Sequence, residues 1–157
     1  RFESRGLGDV YKRQVLACGC FWGPEIKFSR LDGVFKTEVG YCGGNTSKTS
    51  YQEVCEGDTN HAEVVKLDFD PNIISYEKIL DYFFEIHDPT TLNSQGPDFG
   101  TQYRSEIFYL NDEQKNIAKK IIEKYNKKYS GKVVTKISQI KNYCIAEEYH
   151  QKYLEKR

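Results

Sequence analysis

The residues best suited to chemistry lie near the start of the chain, where Cys20 is followed at once by Phe21 and Trp22. The short apolar run 15–18 predicts a buried strand, and the proline and glutamate that follow the aromatics are typical of a first helical turn. A thiol there faces the positive end of the helix dipole, so we expect its pKa to fall and its reactivity to rise. The two aromatic rings predict a pocket for a small hydrophobic group. The alternative, an inert thiol among core aromatics, is weakened by the flanking glycines.

A second reactive group is the carboxyl of Glu63, near the start of a strand predicted over residues 61–70. Because side chains alternate along a strand, His61 and Glu63 share one face. If Glu63 lies in the apolar surroundings of Phe21 and Trp22, desolvation raises its pKa and lets it donate a proton near neutral pH. The alternative is a solvated surface glutamate.

Three further polar residues lie in predicted loops: Tyr51 in the polar loop 45–57, and Asp98 and Tyr103 in the long loop 88–103. Long ordered loops in small domains are often functional. Tyrosine hydroxyls donate hydrogen bonds without a charge, and several around one acceptor oxygen would stabilise charge where it develops. Most of the twelve tyrosines must serve packing, and the loop positions of these two favour a site.

Five cysteines and three histidines also raise the alternatives of a metal site and a Cys–His hydrolase. Only Cys18 and Cys20 form a close pair, and no second pair matches it, so the spacing is not that of a zinc module. His61, His87 and His150 are candidate bases, but no orienting partner singles one out. A thiol enzyme is therefore the preferred interpretation, with no metal.

The elements that position these groups are predicted from hydrophobic periodicity. Strands are expected over residues 15–19, 34–41, 61–70, 105–109 and 133–137, and helices over 24–31, 76–87, 112–129 and 147–154. Ser75 and Asn111 are expected as N-caps, with Gln114 placed for a capping box. The order βαββαβαβα predicts an α+β fold: a single ferredoxin-like α/β sandwich domain with a mixed sheet and packed helices.

Composition sets the broad class of the protein. Basic and acidic residues balance at 23 each, which gives no electrostatic argument for nucleic acid or an anionic membrane. No apolar run approaches a membrane span, and an odd number of cysteines does not suit a secreted disulfide framework. We expect a cytoplasmic monomer with neither nucleic acid nor membrane as partner.

Residues 1–14 lack periodicity and are expected to be a non-native or disordered N-terminal segment, with an ordered arm as the alternative. The catalytic domain is expected over 15–157.

Several separated motifs occur in one order along the chain. They are GCFWG at 19–23, GYCGG at 40–44, YQEVC at 51–55, GDTNHAE at 57–63, HDPTT at 87–91, QGPDFGTQYRS at 95–105 and AEEYHQ at 146–151. Together they closely resemble methionine sulfoxide reductase type A, the family of peptide-methionine (S)-S-oxide reductases. The resemblance extends over nearly all of residues 15–154.

The resemblance implies a role for each residue of the first group. Cys20 would be the nucleophile that attacks the sulfoxide sulfur, and Phe21 and Trp22 would hold the methyl group of the substrate. Glu63 would donate a proton to the sulfoxide oxygen. Protonation makes the sulfur electrophilic, and loss of methionine leaves Cys20 as a sulfenic acid.

The loop residues complete the site that the resemblance implies. Tyr51 and Tyr103 would hydrogen-bond the sulfoxide oxygen, and Asp98 would bind the substrate backbone or order the pocket. The expected activity is thiol-dependent reduction of the S epimer of methionine sulfoxide, free or in oxidised proteins, as a repair reaction. Thioredoxin or a similar thiol would supply electrons, with no bound cofactor. The alternative is a noncatalytic module that binds oxidised or apolar peptide side chains.

The sulfenic acid must be reduced by a second thiol, and here the chain departs from the family's common pattern. Many members carry one or two resolving cysteines in a glycine-rich tail, whereas this chain ends at Arg157. The tail is missing, an external thiol acts directly, or Cys144 resolves the intermediate. Cys144 is preferred among the internal thiols, with a packed core thiol as its alternative. A Cys18–Cys20 bridge would be strained, and Cys42 and Cys55 are expected to be plain buried thiols.

Overall fold

The computed structural model describes residues 11–157. The described chain contains strands β1 (Lys12–Cys18), β2 (Val34–Cys42), β3 (Ala62–Phe69), β4 (Ser94–Gln95), β5 (Asp98–Phe99), β6 (Ser105–Tyr109), β7 (Lys136–Gln139) and β8 (Cys144–Ile145). Its α-helices are α1 (Trp22–Ser29), α2 (Tyr51–Glu56), α3 (Tyr76–Glu85) and α4 (Asp112–Lys128). Short 3-10 helices lie at Thr101–Tyr103 and Glu148–His150.

Six of the strands form one sheet in the order β7-β6-β1-β3-β2-β8, and β4 and β5 form a separate hairpin. β7 joins β6 in parallel, and the other pairings of the large sheet are antiparallel. Strands β1, β2, β3 and β6 with helices α1 and α3 give the βαββαβ order of a ferredoxin-like fold. The predicted α+β sandwich with a mixed sheet is confirmed. The strand expected over 133–137 is found at Lys136–Gln139, and the two-residue strands were too short to show a period.

The helices pack on one face of this sheet and form the main core. Leu16 of β1, Leu67 of β3 and Phe83 of α3 are each fully buried there. A smaller apolar cluster, which includes Val64, covers the opposite face. Because side chains alternate along β3, Glu63 points to the helical face with Leu67. Within residues 11–157, no helix has both the length and the apolar character that a membrane span requires.

Strand β1 begins at Lys12, earlier than the expected start at residue 15. Lys12, Arg13 and Gln14 pair with the far end of β3, and a side chain of α4 donates to the Arg13 carbonyl at 2.8 Å. These three residues therefore belong to the folded domain rather than to the expected segment 1–14. Residues 1–10 of that segment lie outside the described part of the chain.

Two other predicted elements were wrong. Helix α2 occupies what was expected to be a polar loop over 45–57, where Ser50 and Glu53 form a capping box. Six residues are too few to show a helical period, although the Ser-x-x-Glu signal was present in the sequence. The helix expected over 147–154 is only a 3-10 turn. This segment is hydrogen-bonded to the sheet instead. The side-chain amide of Gln151 both donates to and accepts from the β2 backbone, each bond being 2.9 Å long.

The caps of the long helices follow the prediction. The Ser75 hydroxyl accepts the Lys78 N–H at 3.1 Å, and the Asn111 side chain accepts the Gln114 N–H at 2.9 Å. The return bond of the predicted capping box differs, because the Gln114 side chain accepts from the Leu110 N–H rather than from the N-cap. Both helix starts are therefore fixed by local sequence.

The fold predicts the cost of opening its core. Phe83→Ala should lower the free energy of unfolding by about 3–5 kcal/mol, because a fully buried ring leaves a cavity. Phe99→Ala is the matched control, since that ring is 77% exposed, and it should change stability by no more than about 0.5 kcal/mol. Urea denaturation measures both. Equal effects of the two substitutions would contradict the assigned core.

Candidate active site

The Cys20 thiol lies between the end of β1 and the first turn of α1, which begins at Trp22 rather than at Pro24. Burial raises the pKa of Cys20 to about 11. The Trp22 backbone N–H, which bonds the sulfur, lowers it, and the charges of Glu63 and Asp98 raise it further. The helix terminus acts as expected, but the predicted net fall in pKa was wrong. Desolvation outweighs the helix terminus, and desolvation depends on tertiary packing.

Glu63 supplies the carboxyl of the site. It is 1% exposed, and its Oε1 accepts the Phe21 backbone N–H at 3.2 Å. Its Oε2 is buried and has no hydrogen-bond partner among the described residues. Burial raises the pKa of Glu63 to about 8, the Phe21 bond opposes this rise, and Asp98 adds to it. The carboxyl is therefore mostly protonated at neutral pH, which a proton donor requires.

The two aromatic residues after Cys20 form a wall with the C-terminal segment. The Trp22 indole N–H donates to His150 Nδ1 at 3.1 Å, and its ring stacks on Tyr153 with a centroid separation of 3.8 Å. The buried Phe21 ring packs against Tyr41 and His150 at 5.8 and 5.2 Å. Phe21 and Trp22 therefore lie together, in an aromatic cluster that fixes their orientation.

Tyr51 and Tyr103 lie near the carboxyl of Glu63. Their hydroxyls interact with each other and with Glu63, and the Tyr51 ring lies 4.8 Å from the ring of His150. Burial raises the pKa of Tyr51, and it raises that of Tyr103 to about 12. Both side chains are thus neutral hydrogen-bond donors at physiological pH. The structure brings these two residues together with Glu63.

Asp98 belongs to the β4–β5 hairpin and acts on the same groups, since its charge raises the pKa of both Cys20 and Glu63. Gln95 pairs with Asp98 in the hairpin and packs against Gly19. A Cβ at Gly19, whose φ is +98°, would lie 2.8 Å from the Gln95 side chain. The hairpin is therefore held against the turn that carries Cys20, a contact that only glycine permits.

Arg104 links two parts of the site. Its guanidinium donates to the Asn60 carbonyl at 3.0 Å, to the Thr101 carbonyl at 2.8 Å and to the Glu106 carboxylate at 2.6 Å. Asn60 leads into β3, and Thr101 begins the turn that ends at Tyr103. Arg104 had no role in the sequence prediction, although it lies inside one of the quoted motifs. It ties the β3 start to the tyrosine turn.

Sequence reasoning also missed two residues of the C-terminal segment. Glu147 accepts from the Tyr41 hydroxyl and from the Tyr51 backbone N–H, each at 2.8 Å, and so joins β2 to α2. The sequence indicates His150 only as a candidate base. Burial lowers its pKa, and its buried Nε2 has no partner in the described structure. The AEEYHQ motif contains both residues, but a motif alone does not show which groups they contact.

Cys144 lies on the edge strand β8, away from the carboxyl. It pairs with Tyr41, and Tyr41 pairs on its other side with Glu63. Two strand spacings, about 10 Å, therefore separate Cys144 from Glu63 along the sheet. The Tyr41 side chain is fully buried between them. The sheet pairing therefore does not place Cys144 beside Glu63.

The other thiols and histidines have separate environments. Cys18 and Cys42 are buried as expected, whereas Cys55 is exposed, and that expectation was wrong. The ring nitrogens of His61 and His87 are bonded to nearby backbone and hydroxyl groups. Neither is arranged as a base for a cysteine hydrolase. Among residues 11–157, no group of three or more His, Cys, Asp or Glu side chains could hold a metal ion.

The fold and the site define a class of protein: a single α+β sandwich in which a cysteine thiol lies beside a protonated carboxyl and an aromatic wall. The family model for peptide methionine sulfoxide reductase matches residues 12–157. The chain belongs to the peptide methionine sulfoxide reductase family.

Known relatives agree with this assignment. The chain is 76% identical over 143 residues to the peptide methionine sulfoxide reductase MsrA of Pelagibacter ubique, which covers 91% of this chain and 97% of that relative. The crystal structure of reduced Mxr1 from Saccharomyces cerevisiae matches with a TM-score of 0.89 and 47% identity, covering 94% of this chain and 86% of that one. Mxr1 in complex with Trx2 matches with a TM-score of 0.65 and 31% identity, covering 91% and 84%.

The site predicts the titration of its thiol. Alkylation of Cys20 should reach half its maximal rate at a pH of about 11 in the unliganded protein. Glu63→Gln should move this midpoint lower, because it removes a negative charge that opposes thiolate formation. Alkylation across pH, followed by peptide mass spectrometry, measures the change. Glu85→Gln, at an exposed position of α3, is the control, and a wild-type midpoint below the ordinary value of 9.0 would contradict the account.

Proposed function

We propose that this protein reduces the S epimer of methionine sulfoxide, free or within oxidised proteins, to methionine, with Cys20 as the nucleophile. The observation that carries the proposal is the buried carboxyl of Glu63, protonated at neutral pH, beside the Cys20 thiol. A sulfoxide sulfur becomes a good electrophile when its oxygen is protonated, and a thiol is a suitable attacking group. Family membership supports the same reaction.

The site residues fit the parts of this substrate. Phe21 and Trp22 offer an apolar surface to the methyl group. The sulfoxide oxygen would lie where the hydroxyls of Tyr51 and Tyr103 approach Glu63, and all three groups can donate a hydrogen bond to it. Such donors stabilise the oxygen most strongly as negative charge develops on it. The unpartnered Oε2 of Glu63 would gain its missing partner in that complex.

The chemical step transfers one oxygen atom. Glu63 donates its proton to the sulfoxide oxygen while the Cys20 sulfur attacks the substrate sulfur. A bond forms between the two sulfur atoms, and the substrate sulfur then carries both the hydroxyl and Cys20. The hydroxyl transfers to the Cys20 sulfur while the substrate's sulfur–oxygen bond and the new sulfur–sulfur bond break, so methionine leaves with the electron pair and Cys20 becomes a sulfenic acid. The hydrogen of the original thiol restores the proton on Glu63. Methionine sulfoxide is thus reduced by two electrons and the cysteine is oxidised by two, with no net proton uptake.

Electrons for the next cycle must come from thiols. The complex of Mxr1 with Trx2 supports thioredoxin, or a similar dithiol, as the reductant. Asp98, at the rim of the same site, would orient the substrate backbone or order the pocket. We further propose a monomer in the cytoplasm, because the five free cysteines suit a reducing compartment.

Single-turnover assays of prereduced protein test the reaction directly. The S epimer should yield one methionine per molecule, and the R epimer should yield none. Cys20→Ser should abolish the reaction while circular dichroism remains unchanged, because the nucleophile is lost without loss of the fold. Binding of the sulfoxide without any turnover would instead identify a noncatalytic module.

The proton donor has its own signature in the pH profile. The rate of the sulfoxide step should fall as the pH rises through about 8, because Glu63 then loses the proton that it must donate. Glu63→Gln should slow this step by roughly 10²–10⁴-fold, the usual contribution of a general acid, and should remove the inflection. Stopped-flow kinetics on prereduced protein provides both results. An unchanged rate in Glu63→Gln would show that another group supplies the proton.

A further inference from the structure

Apart from the nucleophile Cys20, the chain has four cysteines, and the surroundings of Cys55 differ from those of the other three. It lies in the last turn of α2 and is exposed to solvent. We propose that Cys55 is the resolving cysteine, which attacks the Cys20 sulfenic acid and forms a Cys20–Cys55 disulfide for an external dithiol to reduce. This inference rests on the proposed function and adds its second chemical step.

The position of Cys55 relative to the tyrosines supports this role. Tyr51 and Cys55 are four residues apart on α2, so their side chains share one face of the helix. The thiol interacts with the Tyr51 hydroxyl and with that of Tyr103. These two hydroxyls also interact with Glu63. Cys55 therefore borders the place where the oxygen of the substrate is expected.

An independent observation marks that place as a ligand site. Glu63 Oε2 is buried without a partner, although the buried polar atoms of folded proteins are usually hydrogen-bonded. After the first step, the oxygen that satisfies it is the hydroxyl of the Cys20 sulfenic acid. The tyrosine hydroxyls then separate this sulfenic acid from Cys55. The resolving thiol thus lies on the far side of the tyrosine hydroxyls from the intermediate that it must attack.

The other internal thiols are less suitable. Cys18 and Cys42 are buried, and burial raises their pKa to about 12 and about 11. Cys144 is two strands beyond Glu63, with the buried Tyr41 between them. A disulfide requires Cα atoms within about 7 Å. Cys144 is held in the edge of the sheet by its pairing with Tyr41.

Disulfide formation through Cys55 requires a shift of the last turn of helix α2 toward the nucleophile. Its first turn is anchored where the Tyr51 N–H donates to Glu147 at 2.8 Å. Cys55 lies in the last turn, just before Gly57, which ends the helix in a left-handed conformation. Such a shift keeps the anchor at Tyr51 and the strand pairing, and it displaces Val54, which is 1% exposed.

The step balances without any additional reagent. The Cys55 sulfur attacks the Cys20 sulfur, the sulfur–oxygen bond of the sulfenic acid breaks, and a sulfur–sulfur bond forms. Glu63 protonates the departing hydroxyl, which leaves as water, and the proton of the Cys55 thiol returns to the carboxyl. The sulfenic sulfur is reduced while the Cys55 sulfur is oxidised. A dithiol of the thioredoxin class then reduces the disulfide to two thiols.

Comparison of Cys55→Ser with Cys144→Ser tests the inference. Prereduced full-length proteins are given methionine S-sulfoxide without reductant, and methionine, free thiols and disulfide-linked peptides are measured. Wild type and Cys144→Ser should each lose two thiols per methionine formed and should contain a Cys20–Cys55 disulfide. Cys55→Ser should form methionine but lose only one thiol, and dimedone should label the sulfenic acid on Cys20.

The outcomes separate this inference from the proposed function. A Cys20–Cys144 disulfide in wild type, or a wild-type sulfenic acid that persists with Cys55 reduced, would overturn the inference while leaving the reductase activity intact. Absence of methionine from wild type would overturn the proposed function itself. Circular dichroism of Cys55→Ser serves as the folding control, and an exposed Cys-to-Ser change should preserve the fold.

Discussion

Glu63 is an acid kept almost entirely out of water, and the surrounding groups are arranged around its protonated form. Its burial sets a pKa of about 8, above the ordinary value of 4.5. For such a group, the stability that it contributes is fully present below pH 4.5 and is lost as the pH rises through about 8. The fold therefore retains a destabilising residue at neutral pH. Its incomplete hydrogen bonding is typical of a site that a ligand completes.

The thiol and the carboxyl control each other through their charges. Burial keeps Cys20 protonated, and an ionised Glu63 would oppose thiolate formation still further. Protonation of Glu63 removes that repulsion at the same time as it supplies the donor for the oxygen. In the empty site at neutral pH, burial is therefore the main cause that keeps Cys20 protonated. Asp98 strengthens this coupling because it acts on both groups.

The sequence indicated the local parts of this structure better than the long-range ones. The caps at Ser75 and Asn111 need only a few neighbouring residues, and both were predicted. The rise in the pKa of Glu63 followed from its apolar neighbours, but the sign for Cys20 was wrong because tertiary burial decides it. The C-terminal segment was wrongly predicted as a helix. Its conformation depends on bonds between Gln151 and β2, 112 residues apart in the sequence, and such long-range bonds leave no periodic signal.

The most direct test of the account is the protonation state of Glu63 in the unliganded protein. Infrared difference spectroscopy between neutral and alkaline pH, with Glu63→Gln as the reference, follows the band of a protonated carboxyl. The account predicts that this band is present at neutral pH, disappears with a midpoint of about 8 and is absent in the variant. A carboxyl that is already ionised at neutral pH, with a midpoint near 4.5, would contradict the claim that burial keeps Glu63 protonated and able to donate its proton to the substrate.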